Sequence, residues 1–263
     1  MMSNLVYFYL LSPLHTGGTT QEGNLLGIAR ESHTELPYVP SSSIRGRLRA
    51  SVNEQTLQYR LFGNEINAGS KLEQGSIWIG DGSILWLPVP SLSHGVVWVS
   101  SPMLLRRWAR LNGVTADIPA DYSTSLSEQK PIYLKDAILK SSDLTVWADW
   151  QQFVPQTELT KGIERVLVLP DQHCATLIQM GLWRQVKVKL DEHKTVEGGF
   201  RYEEAIPPDT LMYFPWGTTA QANGTSATAK GEFQTLMTKH SLLQIGGQES
   251  LGRGFVQTWS PSN

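Results

Sequence analysis

The hydrophobic residues of the chain fall into short runs separated by polar, turn-forming stretches. Residues 6–11, Val-Tyr-Phe-Tyr-Leu-Leu, are apolar or aromatic throughout and stop at Ser12-Pro13, a pattern typical of a buried β-strand. Similar runs predict four more strands, at 76–79, 83–89, 96–99 and 255–259. We therefore expect strands in the first half of the chain and at its C-terminal end.

A helical spacing of apolar residues marks other segments. Ile44, Leu48 and Val52 lie four residues apart, behind Pro40 and three serines that form a helix-start signal. This predicts a first helix that begins at the serines. Four further helices are predicted at 103–111, 158–168, 172–181 and 233–240.

Three segments look like additions to a compact core. Residues 14–36 are mostly polar and glycine-rich, which predicts a long irregular loop, and such loops are usually functional. Polar and apolar residues alternate over 185–190, and a glycine-containing turn follows, so 185–205 is predicted to be a protruding β-hairpin. The polar, turn-rich residues 117–130 predict a second, exposed insertion.

Strands and helices are interleaved along the 263 residues. Runs of strands without a regular strand–helix alternation favour an α+β fold with a mostly antiparallel sheet over a doubly wound parallel one. We expect a single domain, 1–263, that carries the insertions described above.

The charge balance excludes a globally basic protein. The chain has 22 lysines and arginines against 24 aspartates and glutamates, so any nucleic-acid site must be local. A single cysteine, Cys174, excludes an internal disulfide and a cysteine-rich zinc site, and we expect it to be a buried apolar residue. Because we find neither a signal peptide nor a membrane-length apolar stretch, we expect a cytoplasmic protein without a membrane partner.

The glycine-rich loop at 245–255, Ile-Gly-Gly-Gln-Glu-Ser-Leu-Gly-Arg-Gly-Phe, is the strongest local motif. Its glycines can bring bare backbone N–H groups against phosphates, and Arg253 adds a guanidinium. A purely structural turn explains the glycines equally well. A second candidate phosphate site is the start of the first helix, where Arg45, Arg47 and Arg49 lie off the apolar stripe.

The loop at 245–255 resembles the C-terminal glycine-rich loop of the RAMP superfamily. Further stretches resemble motifs of one member in particular, the repeated backbone subunit of CRISPR type III (Cmr) effector complexes. These stretches occur in the family's order, at 12–17, 33–49, 81–89, 98–102 and 195–211.

The resemblance implies a ferredoxin-like (RRM-type) RAMP core with insertions, including a thumb-like β-hairpin that we place at 185–205. It also implies that copies stack along a guide (cr)RNA, pair it with target RNA, and contact other type III subunits. RNA of any sequence is best bound through phosphates and stacked bases. The candidate RNA-binding residues are His15, Ser41, Ser43, Arg45, Arg47, Arg49, Phe200, Gly246, Gly247, Gly252, Arg253 and Gly254.

Target cleavage is the activity that the resemblance leaves open. Members of the family cut target RNA with an aspartate after the first strand, and the alignment on residues 28–31 places Leu25 there. Leucine can neither bind a metal nor accept a proton from a ribose hydroxyl. Glu22, reached by a shift of register, and His15 are the remaining weak candidates, so catalytic residues stay unassigned and we expect no slicing by this subunit.

The open alternatives are a metal-dependent ribonuclease acting from the 14–36 loop and a RAMP enzyme that processes guide RNA with His15. We expect no cofactor and no resident metal, and Mg²⁺ only if target RNA is cleaved. Among the aromatic residues, Phe200, Tyr202 and Trp216 flank turns and are predicted to stack on bases. The tryptophans within apolar runs, Trp78, Trp86 and Trp98, are predicted to be core, and Arg106, Arg107 and Arg110 to form a solvated helix face or a subunit contact.

Overall fold

The computed structural model describes residues 4–22, 25–64, 73–127, 130–222 and 224–261. Within these ranges the strands are β1 Asn4–Leu10, β2 Gly17–Glu22, β3 Leu25–Ile28, β4 Ile77–Ile79, β5 Ser83–Ser91, β6 Gly95–Ser100, β7 Ser123–Thr124, β8 Ile132–Tyr133, β9 Ile138–Leu139, β10 Thr145–Val146, β11 Val166–Val168, β12 Trp183–Lys187, β13 Arg201–Ala205, β14 Leu211–Thr218, β15 Leu242–Gln244 and β16 Phe255–Trp259. The helices are α1 Ser41–Ala50, α2 Gln55–Phe62, α3 Pro102–Asn112, α4 Asp171–Met180 and α5 Ser226–Lys239. None of these helices is long and apolar enough to cross a membrane.

Four strands of the large sheet have the ferredoxin order. In space they run β5, β14, β1, β16, and each neighbouring pair is antiparallel. Along the chain, α1 follows β1 and α5 follows β14, so the connectivity is β-α-β-β-α-β with the first strand in the centre. The predicted α+β, ferredoxin-like core is therefore confirmed.

Strand β1 divides the core into two layers because its side chains alternate between the two faces of the sheet. Val6 and Phe8 pack with Ile44 of α1 and Phe233 of α5 in one cluster. The opposite face carries Tyr7, which packs with Leu105 and Trp108 of α3 and with Phe153. Both faces of the sheet are thus covered, and the edges of the molecule are left for the insertions.

The longest addition separates β5 from β14. It extends the large sheet through β6, β11, β7 and β10, and it also contains α3, α4 and the hairpin of β12 and β13. In the hairpin, Trp183 lies opposite Ala205 and Lys187 opposite Arg201. Strand β13 also pairs in parallel with β3, which makes a second sheet in the order β12, β13, β3, β2.

Two of the predictions from sequence were wrong in these added regions. Residues 158–168 are a 3₁₀ turn and the strand β11 instead of a helix, because Val166–Val168 are buried on both sides and a fully buried strand shows no alternation. Within the predicted irregular loop, Gly17–Glu22 and Leu25–Ile28 are the strands β2 and β3. The segment 117–130 lies within the addition between β5 and β14, and its described residues include β7, whose Ser123 and Thr124 are buried, so the segment is only partly exposed.

Cys174 is buried on α4, as predicted. Burial raises the pKa of its thiol well above the usual range. The residue is therefore a packing residue of the core, next to Ile178 on the same helix.

Candidate RNA-binding surface

The glycine-rich loop packs against the end of the first strand. Gly246 has a φ of 82°, and a Cβ atom at this position would overlap the backbone carbonyl oxygen of His15. Gly254 has a φ of 76°, and a Cβ atom there would overlap the carbonyl oxygen of Ile245. Glycine is required at both positions because the backbone is left-handed and crowded.

Several N–H groups of the loop are used inside the protein. Gly247 donates to the carbonyl of His15 at 2.9 Å, Gly254 to that of Pro13 at 2.9 Å, and Gly252 to that of Glu249 at 2.8 Å. These three groups are therefore not the bare phosphate donors that the motif predicts. RNA binding by the loop stays a prediction, and its physical basis is the shape of the loop instead of a row of free amides.

His15 is buried beneath the loop, with 5% of its surface exposed. Its Nδ1 lies 2.8 Å from the carbonyl oxygen of Glu204 on β13. A ring held this way has little access to an RNA 2′-hydroxyl, which weighs against acid–base chemistry by this histidine. His15 instead connects the end of the first strand to the hairpin through its ring and to the glycine-rich loop through its backbone carbonyl.

Arg253 is also buried, with 4% of its surface exposed. Its Nη2 donates to Oε1 of Gln185 at 2.7 Å, and its guanidinium lies 4.2 Å from the centre of the Trp183 ring. Both partners belong to β12. The guanidinium therefore fastens the glycine-rich loop to the base of the hairpin and is not presented to solvent as a phosphate ligand, which corrects the prediction for this residue.

The buried carboxylate of Glu203 binds residues of both the hairpin and the glycine-rich loop. Glu203 is 3% exposed, its carboxylate lies 2.6 Å from Lys187 Nζ and 3.8 Å from Arg253, and it accepts a hydrogen bond from Gln248 at 2.9 Å. Burial by itself raises the pKa of this carboxyl, but the bonds from Lys187 and Gln248 and the charges of Lys187 and Arg253 outweigh burial and lower the pKa.

Glu204, the next residue, faces the other side of the hairpin. It is 1% exposed, and its carboxylate binds Arg30 at 2.7 Å and Arg184 at 2.9 Å. Neither glutamate was singled out from the sequence. The sequence does show two adjacent acids in a predicted strand, opposite a partner strand that contains Arg and Lys. It does not show that these acids are buried, because their burial depends on contacts with distant segments.

The lowered pKa of Glu203 predicts a loss of stability in acid. A carboxyl whose folded pKa lies below its ordinary value of about 4.3 stabilises the fold above that pH and loses the effect as pH falls through the folded pKa. We expect Glu203→Gln to flatten the fall in the free energy of unfolding below about pH 4.5, measured by urea titration. Glu197→Gln, which breaks an exposed pair with Lys189, should leave that profile unchanged; superimposable profiles for Glu203→Gln and wild type would contradict this.

The start of α1 is already occupied by an internal acid. The N–H of Ser41 donates to Asp81 Oδ1 at 2.6 Å, so a phosphate there would compete with a carboxylate. Ser41 and Ser43 are both half-buried. Any RNA contact of this helix is thus more readily made by its arginines than by its first amides.

The arginines of α1 lie partly against α2. Arg45 donates to the carbonyl of Phe62, and burial, together with the charge of Arg49, lowers its pKa. The guanidinium of Arg49 lies 5.9 Å from the centre of the Tyr59 ring. Nε of Arg47 is buried without a hydrogen bond within the described ranges. Arg45 and Arg49, one helical turn apart, therefore form a partly desolvated cationic pair, whereas Arg47 lies on a different face of α1.

A cleft of about 620 Å³ opens beside β3. Leu25, Arg30, Glu35, Arg184 and Glu204 are among the residues that line it. The backbone of Leu25 lies opposite Glu22 on β2, and the side chain of Glu22 is outside the described part of the structure. Over the described ranges, no three His, Cys, Asp or Glu side chains come together as a metal site.

The aromatic candidates separate clearly. Phe200 and Tyr202 are 53% and 44% exposed on the hairpin and remain available for base stacking. Trp216 is 1% exposed and packs on Phe233 with ring centres 4.3 Å apart, so its predicted stacking role was wrong. Trp86 and Trp98 are buried as predicted, whereas Trp78 is 40% exposed.

One arginine of α3 differs from its neighbours. Arg106 and Arg110 are exposed, as predicted for a solvated helix face. Arg107 instead binds both carboxylate oxygens of Glu31, at 2.6 and 3.1 Å, and this contact contributes to the lowered pKa of Glu31. The segment after β3 is therefore bound on one side by α3 through Glu31 and on the other by the hairpin through Arg30.

One family model matches the chain from the first strand of the core to the last. Residues 7–257 match the family model of the RAMP superfamily. The chain therefore belongs to the RAMP superfamily, which confirms the resemblance seen in the motifs.

Within that superfamily, a similar protein is the CRISPR system Cmr endoribonuclease Cmr4 of Pyrococcus furiosus, at 31% identity over 98% of this chain and 95% of the relative. The crystal structure of oligomeric Cmr4 from the same organism has a TM-score of 0.74 at 25% identity, covering 100% of both chains. A chain of the type III-B Cmr-beta complex in its apo state has a TM-score of 0.78 at 17% identity, covering 100% of this chain and 98% of that one. At that identity the last likeness shows the fold alone.

Proposed function

We propose that this chain is a backbone subunit of a CRISPR type III (Cmr-like) effector complex, which binds guide RNA along its phosphates and positions it for pairing with target RNA in antiviral defence. One observation carries the proposal. Three segments that the family resemblance assigns to RNA, namely the end of the first strand, the hairpin and the glycine-rich loop, meet at Glu203, Glu204 and Arg253. The full-length similarity to Cmr4 supports the same role.

The partners follow from the same comparison. Cmr4 of Pyrococcus furiosus is an oligomer in its crystal structure, and a Cmr-beta complex is seen bound to cognate target RNA. We extend both properties to this chain: further copies of itself and other type III subunits as protein partners, and guide and target RNA as ligands. We also propose that the complex acts in the cytoplasm.

Target slicing is not part of the proposed role. The Pyrococcus furiosus relative is named as an endoribonuclease, and the resemblance places the family's catalytic aspartate at Leu25. Leu25 lines the cleft beside β3 with an apolar side chain that can neither hold Mg²⁺ nor take up a proton. Processing of guide RNA by His15 is disfavoured by the burial of that ring.

The RNA-binding role is tested by the salt dependence of guide binding. Each phosphate contact adds about one to the slope of log affinity against log salt concentration. We expect the double variant Arg47→Ala, Arg49→Ala to bind a labelled guide RNA more weakly and with a slope shallower by about two. Fluorescence anisotropy over a range of KCl concentrations measures both values.

The matched control is Arg106→Ala, Arg110→Ala, which removes the same charge from the exposed face of α3. This variant should keep a near wild-type slope. Equal losses in the two double variants would show that only net charge matters and would contradict the assignment to α1. Thermal unfolding of each variant establishes that it is folded.

A further inference from the structure

The carboxylates of the two glutamates of β13 hold the base of the hairpin to the glycine-rich loop and to the segment after β3. Side chains alternate along a strand, so Glu203 and Glu204 point to different faces of the hairpin. On one face Glu203 contacts Gln248 and Arg253 of the glycine-rich loop. On the other face Glu204 binds Arg30, next to the cleft of Leu25. The base of the hairpin is thus fixed to both neighbouring segments through two adjacent acids.

These acids are outnumbered by the cations around them. Among the described residues, four cations lie within 4 Å of the two carboxylates, namely Arg30, Arg184, Lys187 and Arg253. The described part of this cluster therefore carries two more positive charges than negative ones. Arg184 and Lys187 are partly exposed, so they remain able to face a polyanion.

Burying carboxylates is costly, and their ion pairs contribute less to stability than to fixing one arrangement. If these two glutamates served only to solvate the hairpin, we would expect their carboxylates to be exposed. Instead, Glu203 is 3% exposed and Glu204 is 1% exposed, and each has at least two partners. This indicates that their role is to fix the position of the hairpin relative to its neighbours.

We propose that Glu203 and Glu204 are positioning residues for guide RNA: they hold the hairpin and the glycine-rich loop in the one relative orientation in which both contact the same strand. This proposal rests on the proposed function, because it assumes that these segments bind RNA. The acids themselves do not touch RNA. They act through the partly exposed Arg184 and Lys187, and they bind Arg30 and Arg253 of the two neighbouring segments.

The effect of Glu203→Gln on the affinity for guide RNA distinguishes a positioning role from an effect of net charge. Removing a negative charge beside an RNA surface should strengthen binding if only the net field matters. If Glu203 positions the surface, Glu203→Gln should weaken guide binding by about tenfold or more, as for other broken buried charge pairs. The measurement is guide-RNA anisotropy with the full chain, at two salt concentrations.

The matched control is Glu197→Gln, which removes an acid of the same hairpin from an exposed ion pair with Lys189. It should bind as well as wild type or slightly more tightly. Gln185→Ala is the second test, because it removes the acceptor of Arg253 from an exposed position without any change in charge. It should weaken binding several-fold and keep a folded chain in thermal unfolding.

These measurements distinguish a failure of the proposed RNA-binding function from a failure of the positioning role. A wild-type chain that fails to bind guide RNA would refute the proposed function. A wild-type chain that binds, with Glu203→Gln and Gln185→Ala equal to it or tighter, would overturn the positioning role alone. Weaker binding by folded Gln185→Ala, with Glu197→Gln unchanged, supports the positioning role even if Glu203→Gln does not fold.

Discussion

Replacing Leu25 with aspartate is expected to give a complex of this chain magnesium-dependent cleavage of target RNA. Leu25 lines the cleft beside Arg30, Arg184 and Glu204, and its backbone is fixed between β2 and β13. A carboxylate there would be stabilised by the two arginines and could hold Mg²⁺ or take a proton from a ribose 2′-hydroxyl. We expect product formation at least about 100-fold above that of the wild type, the usual contribution of a positioned acid–base group.

The assay combines the assembled complex, guide RNA, labelled complementary RNA and Mg²⁺, with products separated on a sequencing gel. Leu25→Asn is the matched control because it has the same shape as the aspartate and cannot ionise. Strong cleavage by the wild type that disappears in Glu22→Ala would show that the chain slices with a different acid. In that case the non-catalytic role would be wrong.

The second large effect is expected from Gly254→Ala. A methyl group at this left-handed position would overlap the carbonyl oxygen of Ile245, so the two ends of the loop would have to move apart. Steric overlap and backbone strain together should lower the free energy of unfolding by about 3 kcal/mol or more. Urea titration followed by tryptophan fluorescence measures the change.

Gly252→Ala provides the comparison. Its φ of 73° is also left-handed, but no atom lies within 4 Å of the position of the new methyl group. This variant should lose only about 1 kcal/mol, the cost of a non-glycine residue in that conformation. Equal losses at the two positions would show that crowding against Ile245 is not what requires glycine at position 254.

The ferredoxin core could be predicted from the sequence because its strands and first helix carry clear periodicities. The run at 6–11 corresponds to β1, and the spacing of Ile44 and Leu48 corresponds to the buried face of α1. Such patterns arise from local alternation between core and solvent, which the sequence records directly. The added strands are less visible, because β2 and β3 depend on the remote partner β13 for their pairing.

The candidate site was only partly predictable for the same reason. The glycine-rich loop and the α1 arginines are visible as local motifs. The role of Arg253 is not, because its partners Gln185, Trp183 and Glu203 lie about 50 to 70 residues earlier in the chain. A cation beside glycines predicts a phosphate ligand, but burial and a distant acid make it a connection between two segments.

The glycine-rich motif itself illustrates how one pattern serves two physical needs. Its glycines are required at Gly246 and Gly254 by close packing, and three of its amides are used internally. The loop can still contact an RNA strand through its surface, because its contacts with His15 and the hairpin fix its position.

The central claim is that guide RNA runs over α1, the glycine-rich loop and the hairpin. Photo-crosslinking of a guide RNA that carries 4-thiouridine to the assembled complex, with mass spectrometry of the linked peptides, tests it most directly. We predict linked peptides from 41–50, from 246–252 and from the hairpin around Phe200. Crosslinks confined to the groove between α2 and α5, where Arg60 binds Glu232, would contradict the account.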